Sequence, residues 1–113
     1  MHEQHAGNFD FFGAPVGLLF TIDRHLETGS FLDYGMFLQS IMVAARARGL
    51  DTCPQAAFIR FHRIVAEFIG ASADERLVCG MALGQADPAA AVNRLATERL
   101  PIHQFASFIG FEK

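Results

Sequence analysis

Two short apolar runs in the chain predict buried strands. Residues 15–22 (PVGLLFTI) and 77–83 (LVCGMAL) are almost continuously apolar, and Gly13 and Asp23 lie just outside the first run. Continuous rather than alternating apolarity is typical of a strand that is covered on both faces. We therefore expect a buried strand at each of these two positions.

Two helices are predicted between these strands. Ser30-Phe-Leu-Asp33 has the form of a capping box and predicts a helix from Ser30 to about Arg48, with Gly49 as its left-handed cap. Apolar side chains point in every direction around this helix, so it needs cover on all sides. The second helix is predicted by a helical stripe of apolar residues that ends at Gly70, namely Phe61, Ile64, Val65, Phe68 and Ile69.

The remaining segments read as connections. Residues 50–58, around Pro54, and residues 84–93 are predicted loops, and residues 94–113 are an irregular tail with a short turn near 102–105. The polar residues 1–8 are expected to be disordered. The predicted order in a single domain, residues 1–113, is strand, helix, helix, strand and tail.

Size and composition add the expectation of a partner. A compact monomer of 12.4 kDa would expose about 6,100 Å². The chain is 51% hydrophobic, and twelve of its thirteen aromatic residues are Phe. Such a short, apolar chain needs cover for its apolar faces. We expect a homodimer in which a second copy covers the helix of residues 31–48.

Charge and targeting signals exclude several classes of protein. Nine basic and twelve acidic residues give a net charge of −3 and a pI near 5.9, which is not the electrostatic signature of a nucleic-acid binder. Residues 31–47 form the longest apolar stretch but contain polar and charged positions, so no membrane span is predicted. The chain shows no signal peptide and contains only two cysteines. These features predict a reduced, cytoplasmic protein.

No motif predicts a catalytic side chain or a metal site. The sequence lacks a G-x-S-x-G elbow, a Walker loop and a G-x-G-x-x-G motif. A Cys–His pair involving Cys53 stays open, although an inert thiol is the favoured interpretation. His2 and His5 have no evident third metal ligand. From spacing alone, the favoured interpretation of Arg94 and Arg99 is that they are solvated charges of the tail or make a surface pair, and a functional role stays open.

Four separated segments resemble the FMN-dependent nitroreductase family. They are residues 12–23 (FGAPVGLLFTID), 29–35 (GSFLDYG), 44–55 (AARARGLDTCPQ) and 78–84 (VCGMALG). The resemblance extends from about Phe9 to the end of the chain and covers only the C-terminal half of the family's domain. It implies an α+β fold and a homodimer that binds FMN between its subunits. It also implies transfer of electrons from NAD(P)H through FMN to nitroaromatics, quinones or similar acceptors.

The resemblance also implies binding residues. After Pro54, the backbone N–H groups of Gln55, Ala56 and Ala57 align with donors to flavin N5 and O4. Many relatives have Glu-Gly where this chain has Ala56-Ala57, so only a backbone role is carried over. Arg99 aligns with the family's phosphate-binding Arg. Arg94 is the candidate substitute for a Lys that relatives place two residues before that Arg, where this chain has Thr97.

One departure from the family leaves two functions open. The N-terminal Arg-Arg-Ser segment that supplies most phosphate contacts in the family is not found in these 113 residues. We therefore expect either a truncated chain or a missing half that another polypeptide supplies. The first hypothesis is an FMN-dependent oxidoreductase. The alternative is a non-catalytic dimerisation or scaffold module with weak or no flavin binding.

Overall fold

Three antiparallel strands form the centre of the fold in a computed structural model, which describes residues 2–111 and the side chains of residues 5–111. The strands are β1 (Val16–Asp23), β2 (Asp51–Gln55) and β3 (Glu75–Gly84), in the order β1-β3-β2. The central strand β3 is the most deeply buried, as its sequence predicts. Its buried side chains are Leu77, Cys79, Met81 and Ala82.

Strand β1 is present as predicted, but it is not covered on both faces. It lies at an edge of the sheet, and only Ile22 among its residues is fully buried. Its register with β3 shifts between Phe20 and Thr21, which marks a bulge. The expectation of two-sided burial was wrong because, among residues 2–111, no further strand or helix covers the outer part of β1.

Strand β2 replaces much of the loop predicted for residues 50–58, so that prediction was wrong. Asp51–Gln55 pairs with β3, and Pro54 lies opposite Met81. Proline lacks a backbone N–H and is tolerated here because β2 is an edge strand. A 3₁₀ turn, Ala56–Phe61, follows directly.

Helix α2 packs on β1. It runs from Thr28 to Arg46, so it begins two residues before the predicted capping box, and no side chain caps its start. The Tyr34 hydroxyl donates a hydrogen bond of 2.8 Å to the Thr21 carbonyl. The helix ends two residues before the predicted Arg48, and its C-cap is the right-handed Ala47. Gly49 has the expected left-handed backbone, with φ of 72°, but it lies in the turn beyond the cap.

The outer face of α2 is uncovered within one chain. Ala45 is its only buried residue, whereas Leu32, Met36 and Val43 are 68%, 56% and 59% exposed. The whole chain exposes 9,219 Å². That is well above the roughly 6,100 Å² expected for a compact monomer of this mass.

The second predicted helix and the predicted tail are both present. Helix α3 spans His62–Ile69 and ends at Gly70, which is left-handed with φ of 68°. Of its apolar stripe, Ile64 and Phe68 are largely exposed. Between β3 and residue 111 the helical segments are two short 3₁₀ turns, Ala91–Arg94 and Ile102–Gln104.

The N-terminal segment forms two short helical pieces. Helix α1 spans His2–Gly7, and a 3₁₀ turn, Asn8–Gly13, follows it. Met1 lies outside the described residues. Residues that follow α1 bond and pack against the start of the 3₁₀ turn after β2, and the disorder expected for residues 1–8 stays a prediction. None of the helices in the described part of the chain has both the length and the apolarity to cross a membrane.

Candidate functional site

The segment Pro54–Ala57 lies where β2 ends and the 3₁₀ turn begins. Gln55 pairs with Gly80 of β3, and Ala56 is the first residue of the turn. The first N–H groups of a helical turn have no acceptor within it. Among residues 2–111, no hydrogen bond outside the strands and helices uses the N–H groups of Ala56 or Ala57. The exposed Ala56 and the half-buried Ala57 therefore present two adjacent backbone donors.

Gln55 is a buried polar residue that sequence reasoning assigned only a backbone role. Its residual exposure is 2%. Its Nε2 donates a hydrogen bond of 3.0 Å to the carbonyl of Asn8, which lies 47 positions earlier in the chain. Its Oε1 is also buried and has no hydrogen-bond partner among the described residues. No local pattern signals this burial, because glutamine is usually exposed.

An aromatic cluster packs beside this segment. The Phe9 ring lies 5.5 Å from Phe58 and 5.1 Å from Phe61, both edge to face, and the Phe11 ring stacks on Phe58 at 4.9 Å. These are favourable geometries for aromatic pairs. The cluster joins the N-terminal turn Asn8–Gly13 to the turn that follows β2.

Glycines in the sheet make room for this cluster. A Cβ at Gly80 would lie 2.6 Å from the Phe58 ring, and one at Gly17 would overlap the Phe11 ring. The backbone of Phe11 is itself left-handed, with φ of 48°, and that of Phe12 has φ of 54°. Such conformations cost about 1–3 kcal/mol each and persist only when the surrounding structure enforces them. The close ring-on-sheet packing supplies that enforcement.

The two arginines of the implied phosphate site lie on the exposed tail. Arg99 bonds only locally through Nη1, to the carbonyls of Thr97 and Glu98 and to the Thr97 hydroxyl. Arg94 makes no hydrogen bond or ion pair with the residues that the structure describes. The two arginines and the segment Pro54–Ala57 are therefore not joined by hydrogen bonds in the described part of the chain.

The start of the tail is fastened beside β2. Asp51 accepts a hydrogen bond of 2.7 Å from Arg46 at one oxygen and one of 3.0 Å from the N–H of Ala86 at the other. Asp87 then accepts from the N–H of Ala89 and, at its carbonyl, from the side chain of Asn93. These bonds hold the first residues after β3 close to the edge strand.

The two thiols differ in environment. Cys53 is exposed on β2, whereas Cys79 is buried in β3. Burial raises the pKa of the Cys79 thiol, which disfavours the nucleophilic thiolate. No group of three or more His, Cys, Asp or Glu residues in the described part of the chain is placed to hold a metal ion. The side chain of His2 lies outside the described side chains.

A family model and similar proteins of known activity all point to the same family. The model of the nitroreductase family matches residues 2–85. The chain is 52% identical over 106 residues to a 4-nitrobenzoate reductase of Pseudomonas putida, an alignment that covers 94% of this chain and 47% of that protein. It is 48% identical over 101 residues to a chloronitrobenzene nitroreductase of Comamonas testosteroni, covering 89% and 44%.

A solved structure shares the fold. The FMN and NADPH-dependent nitroreductase NfnB from Sphigopyxis sp. strain HMH superposes with a TM-score of 0.93 at 34% identity, covering 97% of this chain and 49% of that one. The α+β nitroreductase fold expected from the resemblance is thus confirmed. The chain spans slightly less than half the length of these relatives. Because the family model matches most of the chain and the fold agrees along nearly all of it, the chain belongs to the nitroreductase family.

Proposed function

We propose that this chain supplies the ring-contacting half of an FMN-dependent nitroreductase that moves electrons from NAD(P)H to nitroaromatics, quinones or similar acceptors. The observation that carries the proposal is the pair of adjacent N–H donors at Ala56 and Ala57, in the segment that the family resemblance aligns with flavin N5 and O4. The activities named for the relatives support the same conclusion.

The donors at Ala56 and Ala57 suit a flavin ring. FMN, when bound, supplies the redox chemistry by accepting hydride and passing electrons onward. The two N–H groups would donate hydrogen bonds to ring atoms where negative charge accumulates, as the donors of an oxyanion hole do. Because both donors belong to the backbone, the pairing of β2 with β3 and the 3₁₀ turn set their direction.

Arg99 is the proposed phosphate contact, with Arg94 as a second cation. A guanidinium binds phosphate through strong, charge-assisted hydrogen bonds. All the hydrogen bonds of Arg99 within the described chain use Nη1, so its Nε and Nη2 remain available to a ligand. Both arginines are exposed and therefore accessible.

The experiment that tests the ring contact compares two substitutions at one position. Ala57→Pro removes a backbone donor, and proline is sterically acceptable in the first turn of a helix. Ala57→Ser keeps the donor and serves as the control. We expect Ala57→Pro, and not Ala57→Ser, to slow reduction of the flavin-loaded protein by NAD(P)H in single-turnover measurements at saturating FMN. Equal rates for the two variants would contradict the assignment.

The scaffold alternative makes a different prediction for the unmodified chain. A dimerisation module would bind no FMN, so the protein would be colourless once unbound FMN is removed, and two copies of it would still associate. Titration of the purified chain with FMN, followed by flavin absorbance and fluorescence, separates the two functions. Saturable uptake supports the oxidoreductase, and the absence of uptake supports the scaffold.

The proposed subunit interface is the outer face of α2. Leu32, Met36 and Val43 are exposed there, and the chain exposes about half as much surface again as a compact monomer of its mass. Val43→Asp would place a charge in a covered interface, whereas Asp33→Asn alters an exposed polar position on the same helix. We expect the first variant to shift sedimentation towards monomer or aggregate, and the second to sediment like wild type.

A further inference from the structure

We propose that Gln55 is a positioning residue whose buried amide ties the segment Pro54–Ala57 to the Asn8 carbonyl and thereby directs the N–H groups of Ala56 and Ala57. The inference rests on the proposed function, because the direction of those donors matters only if they meet a ligand. It assigns a role to the Gln55 side chain, which the family resemblance does not.

The orientation of the amide follows from its partner. The Asn8 carbonyl is an acceptor, so only the NH₂ end of the Gln55 amide can face it at 3.0 Å. The carbonyl end must then point the other way, where Oε1 is buried without a partner among the described residues. Turning the amide over would set two carbonyl oxygens against each other. The arrangement therefore has one preferred orientation.

The tether is one of two attachments between the same two pieces of chain. Gln55 bonds to Asn8, at the start of the turn Asn8–Gly13. Three residues after Gln55, Phe58 packs against Phe9 and Phe11 of that same turn. Ala56 and Ala57 lie between these two attachment points. Fixing both ends of so short a segment restricts the directions its N–H groups can take.

The amide is poorly suited to serve stability alone. A neutral hydrogen bond returns less free energy than a buried, unpaired carbonyl oxygen costs, so one satisfied and one unsatisfied end leave little or no net gain. Methionine has a similar length and no strong polar atom to bury. A purely structural role therefore predicts that Gln55→Met is tolerated without functional effect. A positioning role predicts that the fold survives while Ala56 and Ala57 become mobile.

The test compares Gln55→Met with Gln39→Met, which makes the same chemical change at an exposed position of α2. Backbone ¹⁵N relaxation of the flavin-free protein is measured first. We expect the order parameters of Ala56 and Ala57 to fall from about 0.85, typical of rigid backbone, to below about 0.6 in Gln55→Met only. The urea midpoint should change little. In the flavin-loaded protein, Gln55→Met should lower the flavin midpoint potential and leave the Kd for FMN within a few-fold of wild type.

The outcomes separate this inference from the proposed function. If the wild-type chain takes up no FMN, the proposed function fails, and the relaxation data still decide whether the tether exists. Unchanged order parameters in Gln55→Met would overturn the tether. Unchanged midpoint potential in a flavin-loaded variant with mobile Ala56 and Ala57 would overturn its effect on the ring. Should Gln55→Met not fold, Gln55→Asn, which keeps the amide but is one methylene too short to reach Asn8, is expected to give the same loss of order.

Discussion

Two apolar regions of this chain differ in how far the chain itself buries them. The aromatic cluster of Phe9, Phe11, Phe58 and Phe61 packs around Phe58, which is only 7% exposed, while Phe9 and Phe61 at its edge are each 45% exposed. The outer face of α2 and the tail are also apolar, yet Leu32 of α2 is 68% exposed and Phe108 of the tail is 69% exposed. Apolar composition alone therefore does not predict which apolar side chains are buried within a single chain. Burial depends on which neighbouring elements pack against each region.

The inner rings of the cluster, Phe11 and Phe58, are covered because β1 and β3 have glycines at the points of contact. Gly17 and Gly80 let the rings of Phe11 and Phe58 approach the sheet backbone. In the part of the chain that the structure describes, nothing covers the outer face of α2 in this way, and Leu32 there is 68% exposed. The first region should therefore govern unfolding of the single chain, and the second should govern association and ligand binding.

The largest expected effect is the loss of folding stability when the central ring of the aromatic cluster is removed. Phe58→Ala should destabilise the fold by about 3–5 kcal/mol, because it removes a buried ring and leaves a cavity. Against a total of about 5–15 kcal/mol this is severe. Phe108→Ala, in the exposed tail, should stay within about 0.5 kcal/mol of wild type. Urea unfolding of both variants measures the difference, and similar losses would show that the two regions do not differ as described.

The next effect is expected on ligand affinity and not on folding. Arg99→Ala should weaken FMN binding by about 1.5–3 kcal/mol, roughly ten- to a hundred-fold, because a charge-assisted contact is lost. Its urea midpoint should match wild type, since Arg99 bonds only to neighbouring residues. Arg63→Ala, an exposed arginine of α3, is the matched control. If the two variants bind FMN equally well, Arg99 is not the phosphate contact.

Two glycine-to-alanine substitutions should change the stability of the fold in opposite directions. Gly80→Ala should destabilise by about 1–3 kcal/mol, because the new Cβ would lie 2.6 Å from the Phe58 ring. Gly35→Ala, within α2, meets nothing within 4 Å and should stabilise the helix by about 0.5–1 kcal/mol. Thermal unfolding checks both signs. A stabilising Gly80→Ala would mean that the ring does not pack against the sheet as closely as described.

The sequence predicts the elements whose patterns are local. Long apolar runs and a helical stripe were enough to locate β1, β3, α2 and α3, and Gly70 marked the end of α3, whereas α2 ends at Arg46, three residues before Gly49. Strand β2 was missed because Pro54 reads as a breaker, and only pairing with β3 makes the segment a strand. Its assignment as a loop shows how tertiary pairing overrides local preference.

The candidate site was predictable only in part for the same reason. The backbone role of Ala56 and Ala57 comes from the family resemblance around Pro54 and stays a prediction, because such a role depends on alignment and not on side-chain chemistry. The burial of Gln55 depends on Asn8, 47 positions away, and no nearby pattern reports such a contact. The left-handed backbone of Phe11 likewise results from packing that only the folded chain creates.

The smallest expected effect is a pH dependence of folding stability that arises at Glu75, between β1 and β3. Glu75 accepts hydrogen bonds of 2.6 Å from the Thr21 hydroxyl and 2.9 Å from the N–H of Ser72. The bond from Thr21, followed by that from Ser72, lowers the pKa of Glu75 below its ordinary value of 4.5. A lowered pKa in the folded state means that ionised Glu75 stabilises the fold above pH 4.5. This contribution is lost as the pH falls through the folded pKa.

Urea midpoints measured from pH 7 downwards should therefore decline less steeply in this acid range for Glu75→Gln than for wild type. The control variant Glu67→Gln, on the exposed side of α3, should follow wild type. Because Glu75 joins β1 to β3 and lies away from the outer face of α2, sedimentation at neutral pH should be the same for all three proteins, and a change in association with Glu75→Gln would contradict the separation of the two regions.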